Sequence, residues 1–211
     1  MNMEKILVVG ANGTTGKQIV DLLKSSNVFE PVAMVRKEEQ TKQFKNQGIK
    51  TIIGDLEQEV GYTSKGIDKI IFAAGSGGKK VEAVDQEGAK KMIDAGKEAN
   101  IKKFVMLSSV GADDPSDSSE LKEYLEAKHN ADEYLKNSGV SFVIVRPGTL
   151  NNENSKGKIE LSKSLYNHGE ITRADVAKTL VNSLQDNIKN DSIFEIIQGS
   201  TPINEALKSI K

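Results

Sequence analysis

Short apolar runs alternate with segments of helical periodicity along almost the whole chain, and this alternation constrains the fold more than any other feature. The apolar runs have the length of strands and cover residues 6–9, 32–35, 51–53, 70–74, 104–107, 142–145 and 193–197. The intervening segments repeat apolar residues every three or four positions and cover residues 17–25, 38–46, 86–98, 121–137 and 174–184. Strands that alternate with helices pair in parallel and carry helices on both faces. The pattern therefore predicts an α/β fold of three layers, α/β/α, around a doubly wound, mostly parallel sheet.

The length of the chain and the composition of its runs predict how the sheet is organised. The runs in KFVMLSS and SFVIVRP are apolar on both faces, so the first, fourth, fifth and sixth strands are predicted to form the buried centre of the sheet. A chain of 211 residues with 37% hydrophobic content suits one domain, residues 1–211. Polar, glycine-rich loops follow strands, and such loops surround ligand crevices in parallel sheets. We expect a small substrate-side region formed mainly by the loops after residues 75, 109 and 148.

The composition excludes several classes of function. With 29 basic and 30 acidic residues the formal net charge is −1, which predicts no nucleic-acid partner and no attraction to a membrane surface. The absence of cysteine excludes disulfides, thiolate nucleophiles and cysteine-ligated metal sites, so redox chemistry needs a bound cofactor. No apolar run is long enough to cross a bilayer, and the expected location is the cytoplasm.

A glycine-rich loop joins the first predicted strand to the first predicted helix. Gly10, Gly13 and Gly16 form a GxxGxxG pattern, in which the first glycine permits a sharp turn, the second a close approach of backbone amides to a diphosphate, and the third close helix–strand packing. A tight strand-to-helix turn without a ligand is the alternative, but the position in the first βαβ unit favours a dinucleotide. The residues of this loop that are predicted to bind the cofactor are Gly10, Asn12, Gly13, Thr14, Thr15 and Gly16.

The end of the second predicted strand indicates which dinucleotide is bound. An acidic residue there accepts a hydrogen bond from the ribose 2′-hydroxyl of NAD, whereas an arginine accommodates the 2′-phosphate of NADP. This sequence has Arg36 and Lys37 at that point, which favours NADP over NAD, although a solvated arginine without this role is the alternative. The missing acid also counts against an S-adenosylmethionine-dependent methyltransferase.

A series of motifs occurs along the chain in the order VVGANGTTG, GDL, FAAGS, VDQEGAKKMIDAGKEANIKKFVMLSS, YLEAK, VRPGTL and ITRADVA. In this order and spacing the motifs resemble those of the short-chain dehydrogenase/reductase superfamily. Within it the chain is most similar to the small atypical group of NAD(P)-binding, epimerase/dehydratase-like proteins, which implies a Rossmann fold. The resemblance implies that Asp55 and Leu56 lie against the adenine, with Asp55 as a plain turn or capping residue the alternative. It further implies cofactor contacts from Ala73, Ala74 and Gly75 at the ribose, and from Lys128 and Pro147 near the nicotinamide.

The same resemblance implies a set of catalytic residues. Tyr124 and Lys128 form a YxxxK pair, and residues four apart share a helix face, so the ammonium can favour the ionised phenol. Ser109 is the preferred substrate-orienting hydroxyl, with Ser108 expected to turn or cap the chain. Asp85 stands where better-known members of the superfamily have Asn, and its role is either in the catalytic network or as N-cap of the following helix.

Other polar residues predict no chemistry. His129 and His168 lack clustered partners, so no metal site is expected. The acidic residues of the loop after the fifth strand lack the spacing of a calcium loop and are expected to be solvated, with Asp117 capping the next helix; they are Asp113, Asp114, Asp117 and Glu120.

Two pairs of charged residues near predicted loops are given structural roles. Lys79 and Lys80 are expected to be solvated, with attraction of a substrate anion as the alternative. In ITRADVA, Thr172 or a neighbour is expected to begin a helix, with Arg173 and Asp175 paired locally.

The sequence therefore favours an NADP-dependent oxidoreductase of the atypical short-chain type that acts on a small carbonyl, quinone or flavin-like substrate. Epimerase or dehydratase chemistry uses the same hydride step, but the 64 residues after Pro147 (211 − 147) are few for a sugar-nucleotide domain. The alternative is a non-catalytic NADP(H)-binding sensor.

Overall fold

The computed structural model of the protein describes residues 3–117, 121–165 and 169–210. Its strands are β1 (Glu4–Val9), β2 (Phe29–Val35), β3 (Lys50–Ile53), β4 (Lys69–Phe72), β5 (Lys103–Leu107), β6 (Phe142–Pro147), β7 (Thr149–Asn151), β8 (Lys158–Ser162), β9 (Glu170–Thr172), β10 (Ser192–Gln198) and β11 (Thr201–Pro202). Its α-helices are α1 (Thr14–Lys24), α2 (Glu38–Lys45), α3 (Glu87–Glu98), α4 (Lys122–Asn137), α5 (Arg173–Ser183) and α6 (Ile203–Lys208). In the part of the chain that is described, no helix has the length and apolar character needed to cross a membrane.

Nine strands form one sheet in the order β11-β8-β10-β6-β5-β4-β1-β2-β3. All neighbours from β10 to β3 are parallel, whereas β8 runs antiparallel to both β10 and β11. A second, small sheet pairs β7 with β9 in parallel. The predicted doubly wound, mostly parallel sheet is confirmed, with β1, β4, β5 and β6 in its interior as expected.

Side chains of successive strand residues enter two separate cores, one on each face of the sheet. Ile6 and Val8 of β1 belong to the core that includes the apolar faces of α1 and α5, whereas Leu7 and Val9 belong to the core beneath α3 and α4. All four of these side chains are at most 1% exposed. Because the central strands are buried on both faces, their apolar runs are continuous rather than alternating.

The seven predicted strands and five predicted helices are present, and the strands and α-helix that were not predicted lie after residue 148. These are β7, β8, β9, β11 and α6. The segments are short, and β8 shows the alternation of a half-buried strand, with Ile159 buried and Glu160 exposed, over only five residues. Two or three residues of strand carry too few side chains for a period to be recognised.

The order of the strands determines where a ligand crevice opens. β1 lies between β2 and β4 in the sheet. The chain passes from β1 to β2 and β3 on one side, and then returns to β4 on the other side of β1. This is the switch point of a doubly wound sheet, and ligands bind there in the crevice outside the carboxyl ends of the strands. The glycine loop after β1 and residues 73–80 after β4 therefore flank one crevice.

Candidate functional site

Gly10 and Gly16 are required by packing within the protein. Gly10 has φ +85°, and a Cβ on it would lie 2.7 Å from the Cα of Ala74. A Cβ on Gly16 would lie 2.1 Å from the carbonyl oxygen of Gly10. Both distances are shorter than any real carbon contact, so the loop after β1 packs closely on the loop after β4 and on the first turn of α1.

Gly13 has a different environment. Its backbone is extended (φ −72°, ψ 166°), and a Cβ on it would meet only the carbonyl oxygen of Gly10, at 3.3 Å. Gly13 is the N-cap of α1, and no side chain caps this helix end. The first amides of α1, beginning at Thr14, thus carry the partial positive charge of the helix towards open space. A helix start with glycine as its N-cap and no capping side chain suits the binding of phosphate.

A crevice of about 640 Å³ extends from this loop, and we call it the glycine-loop groove. The predicted cofactor residues that line it are Gly10, Asn12, Gly13, Arg36, Asp55, Leu56, Ala73, Ala74 and Gly75. Thr14 is exposed at the start of α1, Thr15 and Gly16 are buried beneath the loop, and Lys128 and Pro147 lie outside the lining. The groove thus joins segments from the ends of β1, β2, β3 and β4.

Basic side chains predominate in the glycine-loop groove. Arg36, Lys79 and Lys80 line it together with the acidic Asp55. Gln40 accepts the backbone N–H groups of Arg36 and Lys37, 3.0 Å each, and among the described residues no ion pair or side-chain hydrogen bond engages the Arg36 guanidinium. The positive excess suits a ligand with several phosphate charges.

Three further polar residues in the lining of the glycine-loop groove differ in their partners. The side chain of Lys80 binds Glu57 at 2.7 Å, so this lysine is paired rather than merely solvated. The Ser76 hydroxyl oxygen is buried in the lining, and no described residue offers it a hydrogen bond. Asp55 accepts the N–H of Glu57 at 3.1 Å, which is the turn role named as its alternative. A buried hydroxyl without a partner, together with the open helix start, fits a nicotinamide dinucleotide.

Tyr124 and Lys128 lie on one face of α4, as their spacing predicts. The Lys128 Nζ is 5.5 Å from the centroid of the Tyr124 ring. It is also 3.5 Å from the carbonyl oxygen of Leu107, at the end of β5, and the residue is only 4% exposed. An ammonium that is withdrawn from water in this way acts strongly on the groups beside it.

Asp85 joins Lys128 to the glycine-loop groove. One carboxylate oxygen is 3.4 Å from the Lys128 Nζ, and the other accepts the backbone N–H of Ser76 at 2.9 Å. The alternative role of Asp85 as a helix N-cap is wrong, because residues 81–86 form a π-helical turn that continues into α3, whose N-cap is Gln86. The wider turn carries the carboxylate inward, where it is 2% exposed.

The two serines after β5 differ in their surroundings. Ser108 is buried and donates to Asp132 at 2.9 Å, which makes it part of the protein interior. Ser109 lines a second cavity of about 740 Å³, and its hydroxyl donates to the carbonyl oxygen of Val110. This tyrosine cavity, as we call it, is also lined by Tyr124 and Pro147.

A buried ionic group beside these serines was not recognised in the sequence. Asp132 is fully buried and binds the Arg146 Nε at 3.0 Å, and Arg146 also lies 3.7 Å from Asp113. Burial raises the pKa of the Asp132 carboxyl, while Arg146 and the Ser108 hydroxyl counteract that effect. Tyr124, Lys128 and Asp132 are spaced by four residues, which is the signal that could have indicated Asp132.

The remaining predicted features have mixed outcomes. Thr172 caps α5 by accepting the N–H of Asp175 at 3.0 Å, as expected. The predicted pairing of Arg173 with Asp175 is wrong, because Arg173 donates to Asn152. Asp175 instead accepts hydrogen bonds from the loop of residues 155–157.

The loop residues that were assigned no chemistry are only partly described. His129 contacts the carbonyl oxygen of Ala112 through Nδ1, at 2.8 Å. Asp114 accepts the N–H of Ser116. His168, Glu120 and the side chain of Asp117, with its predicted capping role, lie outside the described residues.

The fold and the site together define a class of protein: a doubly wound Rossmann sheet with a glycine-rich loop at its switch point. A family model for NAD(P)H-binding proteins matches residues 10–187. The chain therefore belongs to the NAD(P)H-binding family, and the resemblance to atypical short-chain dehydrogenases/reductases is confirmed. The cofactor of this family is a nicotinamide dinucleotide.

Three similar proteins illustrate the range of this family. A Bacillus subtilis protein described as an "uncharacterized sugar epimerase" is 41% identical over 98% of this chain and 100% of its own length. The sanguinarine reductase of Eschscholzia californica is 29% identical over 98% of this chain and 93% of its own. A solved Bacillus halodurans structure, described as an NAD-dependent epimerase/dehydratase, is 37% identical with a TM-score of 0.94, covering 98% of this chain and 100% of that one.

Proposed function

We propose that this protein is an NADP-dependent reductase in which Tyr124 delivers a proton to the substrate. The observation that carries the proposal is a connected series of contacts from Ser76 in the glycine-loop groove, through Asp85 and Lys128, to Tyr124 in the tyrosine cavity. The nicotinamide end of the cofactor and the substrate would thus meet beside one buried lysine. When bound, the dinucleotide supplies the hydride.

Each residue of this series has a distinct part in the proposal. Tyr124 is half-buried in the cavity wall, and its hydroxyl gives a proton to the substrate oxygen as negative charge develops there. The Lys128 ammonium stabilises the phenolate that remains, since a positive charge acts most strongly where water is excluded. Asp85 holds that ammonium in position. Ser109 orients the substrate oxygen.

The choice of NADP rests on the charge of the glycine-loop groove. Arg36 directly follows β2, the position at which dinucleotide-binding folds bind the 2′-substituent of the adenosine ribose. Lys79 adds a second positive charge to the same lining. We further propose that residues 1–211 form one domain, that the loops after residues 75, 109 and 148 form its substrate side, and that it is located in the cytoplasm.

A reductase is favoured over a sugar-nucleotide epimerase by the lining of the tyrosine cavity. Sugar nucleotides carry a diphosphate that proteins bind through basic side chains and amides. The described residues that line the cavity include no lysine, arginine or histidine. A small carbonyl, quinone or flavin-like substrate requires no such group.

The test is replacement of Tyr124 by Phe, with Tyr134→Phe as the matched control on the same helix. The Tyr134 hydroxyl binds Asp94 on α3 and is remote from the cavity lining. We expect Tyr124→Phe to lower kcat for carbonyl reduction by about 10²- to 10⁴-fold with unchanged NADPH affinity, and Tyr134→Phe to retain activity. Equal activity of both variants would refute the role of Tyr124. No turnover by the unmodified protein on a carbonyl, quinone and flavin panel would favour the NADP(H) sensor.

A further inference from the structure

Helix α2 begins beside Arg36, and one side chain of its first turn lies in the wall of the glycine-loop groove. Lys37 is the N-cap of α2, and Gln40 is the third residue of the helix. Among the described residues of α2, the half-buried Gln40 is the one that lines the groove. Its acidic neighbours Glu38 and Glu39 are outside the lining and lie 3.5 and 3.7 Å from lysines.

The two ends of the Gln40 carboxamide have different partners. The side-chain oxygen accepts the backbone N–H groups of Arg36 and Lys37, 3.0 Å each. Because only the oxygen of an amide accepts hydrogen bonds, these two contacts also assign the position of the nitrogen. The nitrogen carries two N–H groups, and no described residue accepts a hydrogen bond from them. A carboxamide that is held by its oxygen in this way has donors left for a ligand in the groove.

We propose that Gln40 selects NADP together with Arg36, because its amide N–H groups donate to the 2′-phosphate of the adenosine ribose. This inference rests on the proposed binding of NADP in the glycine-loop groove and adds a second residue to that recognition. Arg36 supplies positive charge, whereas Gln40 supplies neutral donors whose position is fixed. Since Gln40 also accepts the backbone N–H of Arg36, the same side chain positions the residue that carries the guanidinium.

A second glutamine of α2, about one turn further along, contacts the glycine loop. Gln43 donates through Nε2 to the side-chain oxygen of Asn12. Asn12 lines the glycine-loop groove, whereas Gln43 is outside the lining. Gln43 is therefore a positioning residue that acts on the dinucleotide through Asn12. Because NADP and NAD have the same diphosphate, its loss should affect the binding of both to the same extent.

The experiment uses Gln40→Glu, which keeps the shape of the side chain and replaces its donors by acceptor oxygens. Glutamate at the third position of a helix accepts the same backbone N–H groups, so the fold should be retained, and urea unfolding checks this. The Kd values for NADPH and NADH are measured by fluorescence titration for the unmodified protein, Gln40→Glu, Gln43→Leu and the control Gln47→Glu. Gln47 is exposed just after α2 and outside the lining, so its variant adds the same charge away from the groove.

We expect Gln40→Glu to raise the Kd for NADPH about thirtyfold or more, because its carboxylate repels the 2′-phosphate. The Kd for NADH should stay within about threefold or fall, since a carboxylate at this place accepts the ribose 2′-hydroxyl. Gln43→Leu should raise both Kd values by the same factor, about three- to tenfold. Gln47→Glu should change neither value by more than about twofold, because salt screens exposed charges that are far apart.

A fragment titration locates the effect on the ligand. Adenosine 2′,5′-bisphosphate and AMP lack the nicotinamide half and differ only in the 2′-phosphate. Gln40→Glu should weaken binding of the bisphosphate and spare AMP. A loss confined to the whole dinucleotides, or an equal loss for both fragments, would contradict a contact with the 2′-phosphate. If Gln40→Glu fails to fold, Gln40→Met removes the donors without added charge, and its ratio of NADPH to NADH affinity decides the question.

Failure of this inference is distinguishable from failure of the proposed function. None of the titrations requires turnover, so the absence of reductase activity would refute the reaction and leave the role of Gln40 to be decided by the affinities. Equal binding of NADPH and NADH by the unmodified protein would refute the NADP assignment and this inference together. A preference for NADPH that Arg36→Ala abolishes and Gln40→Glu leaves unchanged would overturn this inference alone.

Discussion

The three glycines of the first loop make different contacts, and this difference yields a prediction that separates stability from binding. Gly16→Ala would place a methyl group 2.1 Å from the carbonyl oxygen of Gly10, and relief of that clash requires movement of α1 against β1. Gly13→Ala meets only one atom, at 3.3 Å, and its backbone conformation is open to any residue. We therefore expect Gly16→Ala to destabilise the fold and Gly13→Ala to weaken dinucleotide binding.

The magnitudes follow from these contacts. Overpacking of a tight backbone contact costs about 3 kcal/mol or more, so Gly16→Ala should lower the free energy of unfolding by at least that amount. At Gly13 the loss of a favourable N-cap residue, about 0.5–1 kcal/mol, is offset by a gain of about 0.4–1 kcal/mol from a less flexible unfolded chain. The net change in stability should be within about 1 kcal/mol. A methyl group between the α1 amides and the diphosphate should raise the Kd for NADPH about tenfold or more, since it forfeits close charge-assisted hydrogen bonds.

Urea unfolding of the ligand-free variants measures stability, and NADPH fluorescence titration measures affinity. Gly61→Ala is the matched control, because Gly61 lies outside the glycine-loop groove and a Cβ on it would meet only the far end of Glu98, at 3.9 Å. An unchanged Kd for Gly13→Ala would refute the assignment of the diphosphate to the start of α1. Unchanged stability of Gly16→Ala would refute the packing account.

Two further predictions concern buried carboxylates. Burial raises the pKa of Asp175, but hydrogen bonds from the Ser155 hydroxyl and the backbone N–H groups of residues 156 and 157 outweigh it and lower the pKa overall. Its contribution to stability is therefore present above the unfolded pKa near 3.8 and is lost as pH falls through the lower folded value. Asp175→Asn should cost about 1–3 kcal/mol at pH 7, and its urea midpoint should depend less on pH below 4. For the second, Asp132→Ala should cost about 3–5 kcal/mol, because the buried Arg146 guanidinium loses its partner at 3.0 Å and keeps only Asp113, at 3.7 Å. The double variant Asp132→Leu/Arg146→Met should lose less, and an equal or larger loss in the double variant would contradict that reasoning.

The sequence was sufficient to predict the central sheet because burial on both faces produces continuous apolar runs. Runs such as residues 142–145 have few other structural uses in a chain with strand–helix alternation. The elements after residue 148 were missed for the opposite reason: β8 is a short, half-exposed strand, and its antiparallel pairing with β10 depends on contacts made across the sheet. No local period encodes such a partner.

The candidate site likewise contains residues that local sequence patterns predict and residues that only the tertiary structure brings together. The sequence was sufficient to recognise Gly13 and Arg36, because each follows an apolar run of strand length. It was also sufficient for Tyr124, which lies on a segment of helical periodicity four residues before Lys128. The π-helical turn that carries Asp85 inward, and the pairing of Asp132 with Arg146, depend on the tertiary structure. Asp175 was assigned to a local pair with Arg173, because spacing on a helix is visible in the sequence and the approach of the loop of residues 155–157 is not.

The tyrosine cavity also arises only in the fold. Asp114 and Glu195 are 81 positions apart (195 − 114), and no motif connects them. Both line the tyrosine cavity because the loop after β5 and the middle of β10 border it. The lining of this cavity was therefore not predictable from the sequence, which favoured only a small carbonyl, quinone or flavin-like substrate.

A paired titration tests the central claim most directly, namely that the glycine-loop groove binds NADP through its basic side. The Kd values for NADPH and NADH are measured by calorimetry for the unmodified protein, for Arg36→Ala and for the control Lys37→Ala, whose lysine pairs with Glu39 and is outside the lining. We predict tighter binding of NADPH than NADH by about ten- to a hundredfold, lost in Arg36→Ala and retained in Lys37→Ala, because an arginine–phosphate hydrogen bond contributes about 1.5–3 kcal/mol. Equal affinity of the unmodified protein for the two dinucleotides would contradict the NADP assignment, and binding of neither would contradict the account of the groove itself.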